Sequence, residues 1–128
     1  MVLEGINDIG LPEVFAPEEA SSDEIIAGHR QLIARVHARG LKIYGATLTP
    51  FEGALYFTPE GEVKRQAVNE WIRTSGEYDA VIDFDAATRD PNHPSRFQPG
   101  FSEDNLHPND VGYRAMAEAV DLTLFDLE

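Results

Sequence analysis

Leu41-Lys42-Ile43-Tyr44-Gly45-Ala46-Thr47-Leu48 is a run of aliphatic, aromatic and β-branched residues that stops at Thr49-Pro50, and it predicts a strand. What flanks it decides the fold. Upstream, Ser21-Ser22-Asp23-Glu24 forms a capping box, in which a hydroxyl and a carboxylate three residues on satisfy free amides of a first helical turn. Ile25, Ile26, His29, Leu32, Ile33 and Val36 then recur at helical spacing up to a stop at Gly40. Downstream, Thr58-Pro59-Glu60 supplies an N-cap with proline at the first helical position. Val63, Ala67, Trp71 and Ile72 are the expected buried stripe of that second helix, closed by Gly76. Further strands are expected at about residues 2 to 6 and 79 to 85. Helix-length crossovers between successive strands demand parallel pairing, so the class is α/β, with Asn7, Thr49 and Asp85 at the carboxyl edge of one parallel sheet. That edge is where open α/β sheets bind ligands.

The connecting segments are less regular. Ile9 to Ala20 contains Gly10, Pro12 and Pro17 and reads as a loop, and so does the stretch with Pro91, Pro94, Pro99 and Gly100, which would carry Arg89, His93, Arg96 and Phe101 over the site. Asp83 and Asp85, two apart in the third strand, would share a face and bond loop amides or an arginine near the strand end. His29 and His37 belong to the first helix as structural residues. Phe51 to Phe57, rich in aromatics just past a strand, offers core packing or a stacking surface for a sugar ring. Val111, Tyr113, Ala115, Met116, Ala119, Val120 and Leu124 predict a terminal amphipathic helix.

The chain has 128 residues, 42% hydrophobic and 26% charged, which is enough to bury a core as one domain spanning residues 1–128. Ten basic residues stand against 23 acidic ones, a formal net charge of −13 that repels nucleic acids and anionic lipid heads and disfavours polyanionic substrates. Neutral polysaccharides and small esters are not opposed. No cysteine is present, so neither a disulfide framework nor a cysteine metal site exists. No basic, apolar leader and no run approaching membrane-spanning length is present, and the compartment stays open.

Asp104-Asn105-Leu106-His107-Pro108 carries the chemistry. A buried carboxylate that accepts from one imidazole nitrogen fixes the tautomer and leaves the other nitrogen free to take a proton from a nucleophile. The bland alternative has Asp104 capping the helix and His107 on the surface. A metal site from Asp85, Asp90, His93 and His107 has no tight ligand spacing behind it, and no metal or cofactor is called for.

Val2-Leu3-Glu4-Gly5-Ile6-Asn7-Asp8 resembles the third conserved block of the SGNH (GDSL) hydrolase family, and Asp104-x-x-His107 resembles its fifth, in the right order. The resemblance covers essentially the whole chain. It implies that Asn7 is an oxyanion donor, Asp104 the orienting acid and His107 the general base of a Ser-His-Asp ester hydrolase. It further implies a three-layer, flavodoxin-like fold with strand order 2-1-3-4-5, of which this chain, as the C-terminal part, would supply about three parallel strands with their helices. The Gly-Asp-Ser block that holds the family's nucleophile has no counterpart here. The serines are Ser21, Ser22, Ser75, Ser95 and Ser102, and only Ser102 lies close to Asp104 in sequence. The serine is therefore expected upstream, and the chain alone is expected to be inactive. Thr49-Pro50-Phe51-Glu52-Gly53, Trp71-Ile72-Arg73 and Val81-Ile82-Asp83-Phe84-Asp85 look most like the bacterial xylan-esterase-like members, which implies acyl or acetyl esters, commonly of carbohydrate, as substrates. Phe51, Arg96 and Phe101 are the candidate substrate contacts. An open strand edge at residues 2–6 implies a homo-oligomer, and the alternative to an esterase is a non-catalytic, self-associating domain of the same fold.

Overall fold

A computed structural model describes residues 1–10 and 20–126. Its elements are α1 (Ile6–Gly10), α2 (Ser22–His37), β1 (Tyr44–Ala46), α3 (Pro59–Thr74), β2 (Ala80–Ile82), α4 (Phe84–Thr88), β3 (Arg89–Asp90), β4 (His93–Phe97), α5 (Asp110–Glu118) and a 3-10 turn (Leu122–Phe125). This is a mixed α/β arrangement around a small parallel sheet. No helix of the described residues is long and apolar enough to cross a membrane.

The strands are parallel but short. Tyr44, Gly45 and Ala46 pair with Ala80, Val81 and Ile82. The strand expected at residues 2–6 contracts to one parallel bridge, Val2 to Gly45, in which Val2 N–H donates to Tyr44 O (2.8 Å) and Val2 O accepts from Ala46 N–H (2.9 Å). Gly5, at φ +133°, ends the extended run and turns the chain into α1, so Ile6 and Asn7 are helical instead of extended. Gly45 must be glycine for another reason: a Cβ there would lie 2.4 Å from the Tyr78 ring.

The helix starts form as their caps dictate. Ser21 and Glu24 make the reciprocal capping box, at 3.1 and 2.8 Å. Thr58 Oγ1 accepts from Gly61 N–H (2.9 Å) ahead of Pro59. Gly40 and Gly76 follow α2 and α3 with positive φ. His29 is a buried structural link, as expected: Nε2–H donates to Glu4 O (3.0 Å), and Nδ1 accepts from the Tyr78 hydroxyl. Burial pushes the Tyr78 phenol up to about 12, which keeps it a donor.

The buried face of α3 differs from the expected stripe. Val63 is 69% exposed and Ala67 is exposed, whereas Arg65, Val68, Asn69 and Ile72 are buried. The cause lies beyond β1, where Leu48 has left the ladder and its backbone needs partners. Asn69 provides both, accepting from Leu48 N–H (2.7 Å) and donating to Leu48 O (2.9 Å), and Arg65 also donates to Leu48 O (2.9 Å). A hydrophobic stripe cannot reveal polar residues buried for this purpose.

The third strand stops early for a similar reason. Asp83 accepts from Ala86 N–H (3.0 Å) and caps α4, so Asp85 is helical and does not share a strand face with Asp83. Asp85 is fully buried and accepts from Arg65 (2.6 Å), Arg73 (2.7 Å) and Arg89 (2.8 Å). Arg73 also holds Asp83 at 2.8 Å. Burial pushes the Asp83 carboxyl up, but Arg73, the Ala86 amide and Thr47 outweigh it and bring it down to about 2. The arginine partners expected for these acids are thus present, and they tie the ends of β1 and β2 to α3.

Two further expectations are corrected. The proline-punctuated stretch after Arg89 is partly an antiparallel hairpin, β3 with β4, tightened by Asp90 accepting from Asn92 N–H (2.8 Å). The terminal helix ends at Glu118; Gly112 and Met116 form its buried side, while Val111 and Tyr113 are more than half exposed.

Candidate functional site

The loop before α5 is built by its own side chains. Asn109 caps the helix, accepting from Val111 and Gly112 N–H (3.0 and 3.1 Å), while its amide donates to Gly100 O (2.8 Å) and Glu103 (3.0 Å). Asp104 is therefore not the cap. Its Oδ1 accepts from Leu106 N–H (2.9 Å) and His107 N–H (2.7 Å), which closes a tight turn, and its Oδ2 accepts from His107 Nδ1 at 2.7 Å. The imidazole proton, assigned from this contact, sits on Nδ1 and leaves Nε2 as the free base. The His107 hydrogen bond first, and then the two amides, hold Asp104 well below the usual carboxylate range. The carboxylate is not buried as expected: Asp104 and His107 side chains are 55% and 71% exposed, so backbone amides fix the pair.

Asn105, between them, has positive φ (+61°), alone in this among the described non-glycine residues, and its side chain reaches Gly53, donating to the carbonyl at 3.5 Å. Leu106 packs on the apolar core that contains Phe51 and Ile9. The turn after β1 thus supports the Asp104–His107 loop.

Asn7 lies in α1, just past the Val2 bridge, and its Oδ1 is 3.5 Å from the Tyr56 hydroxyl. Tyr56 is half-buried, and its ring covers Gly10 so closely that a Cβ there would come within 2.0 Å. Burial, and then the negative charge of Asp104, raise the Tyr56 phenol. Tyr56 thus touches Asn7 and lies within the electrostatic reach of Asp104.

Ser102 does not face the free nitrogen of His107. Its hydroxyl is 3.2 Å from Asp104 Oδ1 and donates to His107 O at 2.7 Å, on the carboxylate side of the ring. Ser21 caps α2, and Ser95 donates to Glu52. Among the described residues no serine hydroxyl bonds His107 Nε2.

The three expected substrate contacts fare differently. Phe51 is fully buried, stacked edge-on to Phe57 at 5.0 Å, and is core instead of a contact surface. Arg96 is exposed but paired with Glu52 (3.1 Å). Phe101 is half-buried, and its carbonyl accepts from Asn109 N–H (2.8 Å). Glu52, which sequence reasoning passed over, receives His93 Nε2 (2.7 Å), the Ser95 hydroxyl and Arg96. Ser95 foremost, then His93 and Arg96, bring its carboxyl down to about 2 despite partial burial. Tyr56 and Asn105 were also missed, although the aromatic run after β1 pointed to their neighbourhood. Among the described residues no cluster of three or more histidines and acids is arranged for a metal.

Comparison with known proteins gives one family: the model described as GDSL-like Lipase/Acylhydrolase family matches residues 1–115. None of the curated proteins matches this chain.

Proposed function

The chain belongs to the GDSL-like lipase/acylhydrolase family, a family of ester hydrolases, and on that premise we propose that Asn7, Asp104 and His107 are the acid-base and oxyanion parts of an esterase site. The observation that carries this reading is the 2.7 Å contact of Asp104 with His107 Nδ1, which presents Nε2 as a base. The nucleophile is a serine from a Gly-Asp-Ser block outside the 128 residues, a triplet that this sequence lacks. His107 takes the serine proton as the oxygen attacks the ester carbonyl; the Asn7 amide donates to the oxyanion; Asp104 steadies the imidazolium. The proton then passes to the leaving alcohol, and water repeats the cycle on the acyl-enzyme.

In this reading the chain is the C-terminal part of a flavodoxin-like SGNH domain. The parallel order Val2, β1, β2 supports it. Its substrates are small acyl or acetyl esters, commonly of carbohydrate, consistent with the resemblance to xylan-esterase-like members. A net charge of −13 disfavours polyanionic esters.

A serine-directed phosphonate probe tests the assignment on two samples, this chain and the full-length gene product. Labelling of the longer protein alone, lost in His107→Ala, is expected. Labelling of this chain at Ser102 would overturn the assignment. No labelling of either would favour a non-catalytic, self-associating domain of the same fold.

A further inference from the structure

We infer that the turn Gly53–Tyr56 is a positioning element that sets Asn7 and the Asp104–His107 pair relative to one another, with Tyr56 orienting the Asn7 amide. This rests on the reading of those three residues as a hydrolytic site. It adds two residues, Tyr56 and Asn105, that touch no reacting atom.

The two contacts lie on opposite ends of one short turn. At its start, Asn105 meets Gly53: a Cβ on Gly53 would fall 3.0 Å from the Asn105 amide, and Asn105 donates to the Gly53 carbonyl at 3.5 Å. Gly53 has φ +99°, so the backbone shape that receives Asn105 is one side chains resist. Asn105 is itself in the left-handed region, and its direct neighbour Asp104 carries the hydrogen bond to His107. Any shift of Gly53 is therefore passed to the base.

At the other end, Tyr56 meets Asn7. The phenol points its donor at Asn7 Oδ1 across 3.5 Å, longer than an ordinary O–H···O bond, so the contact orients the amide more than it binds it. Oxygen toward Tyr56 leaves the amide N–H groups of Asn7 facing away from it. A flipped amide would present an acceptor to an oxyanion and repel it. The ring cannot drift, because it is packed over Gly10, where even a methyl group would collide, and against Phe51 at 6.4 Å. Core packing of Ala54 and Phe51 anchors the turn between the two ends.

The test uses the full ¹⁵N-labelled chain and two variants. Tyr56→Phe keeps the ring over Gly10 and removes only the hydroxyl; Asn105→Gly removes the side chain and keeps the left-handed backbone accessible. In Tyr56→Phe the Asn7 side-chain amide signals should move to the position of a free amide, with the Nδ1 proton of His107 unchanged. In Asn105→Gly that Nδ1 proton should broaden or vanish, with the core spectrum retained. In the full-length gene product each variant should lower kcat about tenfold or more and leave KM within about twofold, the split that marks lost transition-state alignment. An unmoved Asn7 amide in Tyr56→Phe, or an unchanged kcat in both variants, would overturn the inference. If the spectral shifts appear but Asn7→Ala and His107→Ala retain full turnover, the hydrolytic reading fails while the packing contacts stand.

Discussion

Asp85→Asn removes one charge from the centre of the buried ionic cluster at the ends of β1 and β2. Three guanidinium groups converge on Asp85, but they lose unequally. Arg73 and Arg89 are 24% and 38% exposed and can turn to water, and Arg73 keeps Asp83. Arg65 is fully buried and, among the described residues, keeps only Glu62 as a charged partner, at 2.7 Å. Neutralising one partner of a buried ion pair costs about 3 to 5 kcal/mol, and the retained Glu62 contact places Asp85→Asn near the lower end, about 3 kcal/mol. For a chain of this length that lowers Tm by about 9 to 15 °C. Arg65→Met should cost less, about 1 to 2 kcal/mol, because Asp85 keeps two cations and the Leu48 carbonyl keeps Asn69. Urea unfolding followed by circular dichroism, with two-state behaviour checked first, gives both numbers. If Arg65→Met proves the more damaging, or Asp85→Asn shifts stability by less than about 1 kcal/mol, the cluster is not the desolvated hub described here.

Glu52 has its carboxyl lowered to about 2, so its contribution to stability is complete above the ordinary glutamate range and is lost as pH falls through about 2. Because Ser95 is the largest cause, Ser95→Ala should raise its titration midpoint in ¹³C spectra; an unmoved midpoint would refute that ranking. Gly45→Ala should destabilise the fold by about 1 to 3 kcal/mol through collision with the Tyr78 ring, measurable by thermal melting, and a neutral result would show that Tyr78 can yield. The purified chain should hydrolyse acetyl esters at background rate; turnover abolished by Ser102→Ala would contradict this. Val2 makes a single parallel bridge to Gly45 and Leu3 is 38% exposed, so we propose association between copies through residues 2–6, which light scattering showing a monomer at every concentration would exclude.

Capping chemistry was the most legible part of the sequence. Ser21 with Glu24 and Thr58 with Pro59 start α2 and α3 as read, because each cap is a local bond between near neighbours. Parallel pairing followed from crossover length. Strand extent did not, since Gly5 and Asp83 end their strands through backbone twist and capping that apolar runs do not encode. The buried face of α3 was misjudged because Arg65 and Asn69 enter the core to satisfy Leu48, a need visible only once the strand end is in place. At the candidate site, the pairing of Asp104 with His107 was expected from the resemblance to a family block and is present as a 2.7 Å contact, whereas Tyr56 and Asn105 meet partners about fifty residues away, where no short pattern reaches.

Among the described residues, the first ten are held to the fold by the two Val2 bonds, the His29 contact to Glu4, the Tyr56 contacts to Asn7 and Gly10 and the packing of Ile6 and Ile9. By contrast, the Asp104 loop is stitched to its own helix cap and to the turn after β1. In native-state hydrogen exchange the Val2 and Ile9 amides should therefore open at lower free energy than those at the centre of α3. In molecules of this chain whose amino-terminal arm, the first ten residues, is detached, the Asp104–His107 pair would stay formed while Asn7, the proposed oxyanion donor, is lost from it. A ligand that touches both Asn7 and His107 would slow exchange in the arm, and its affinity would include the work of closing it.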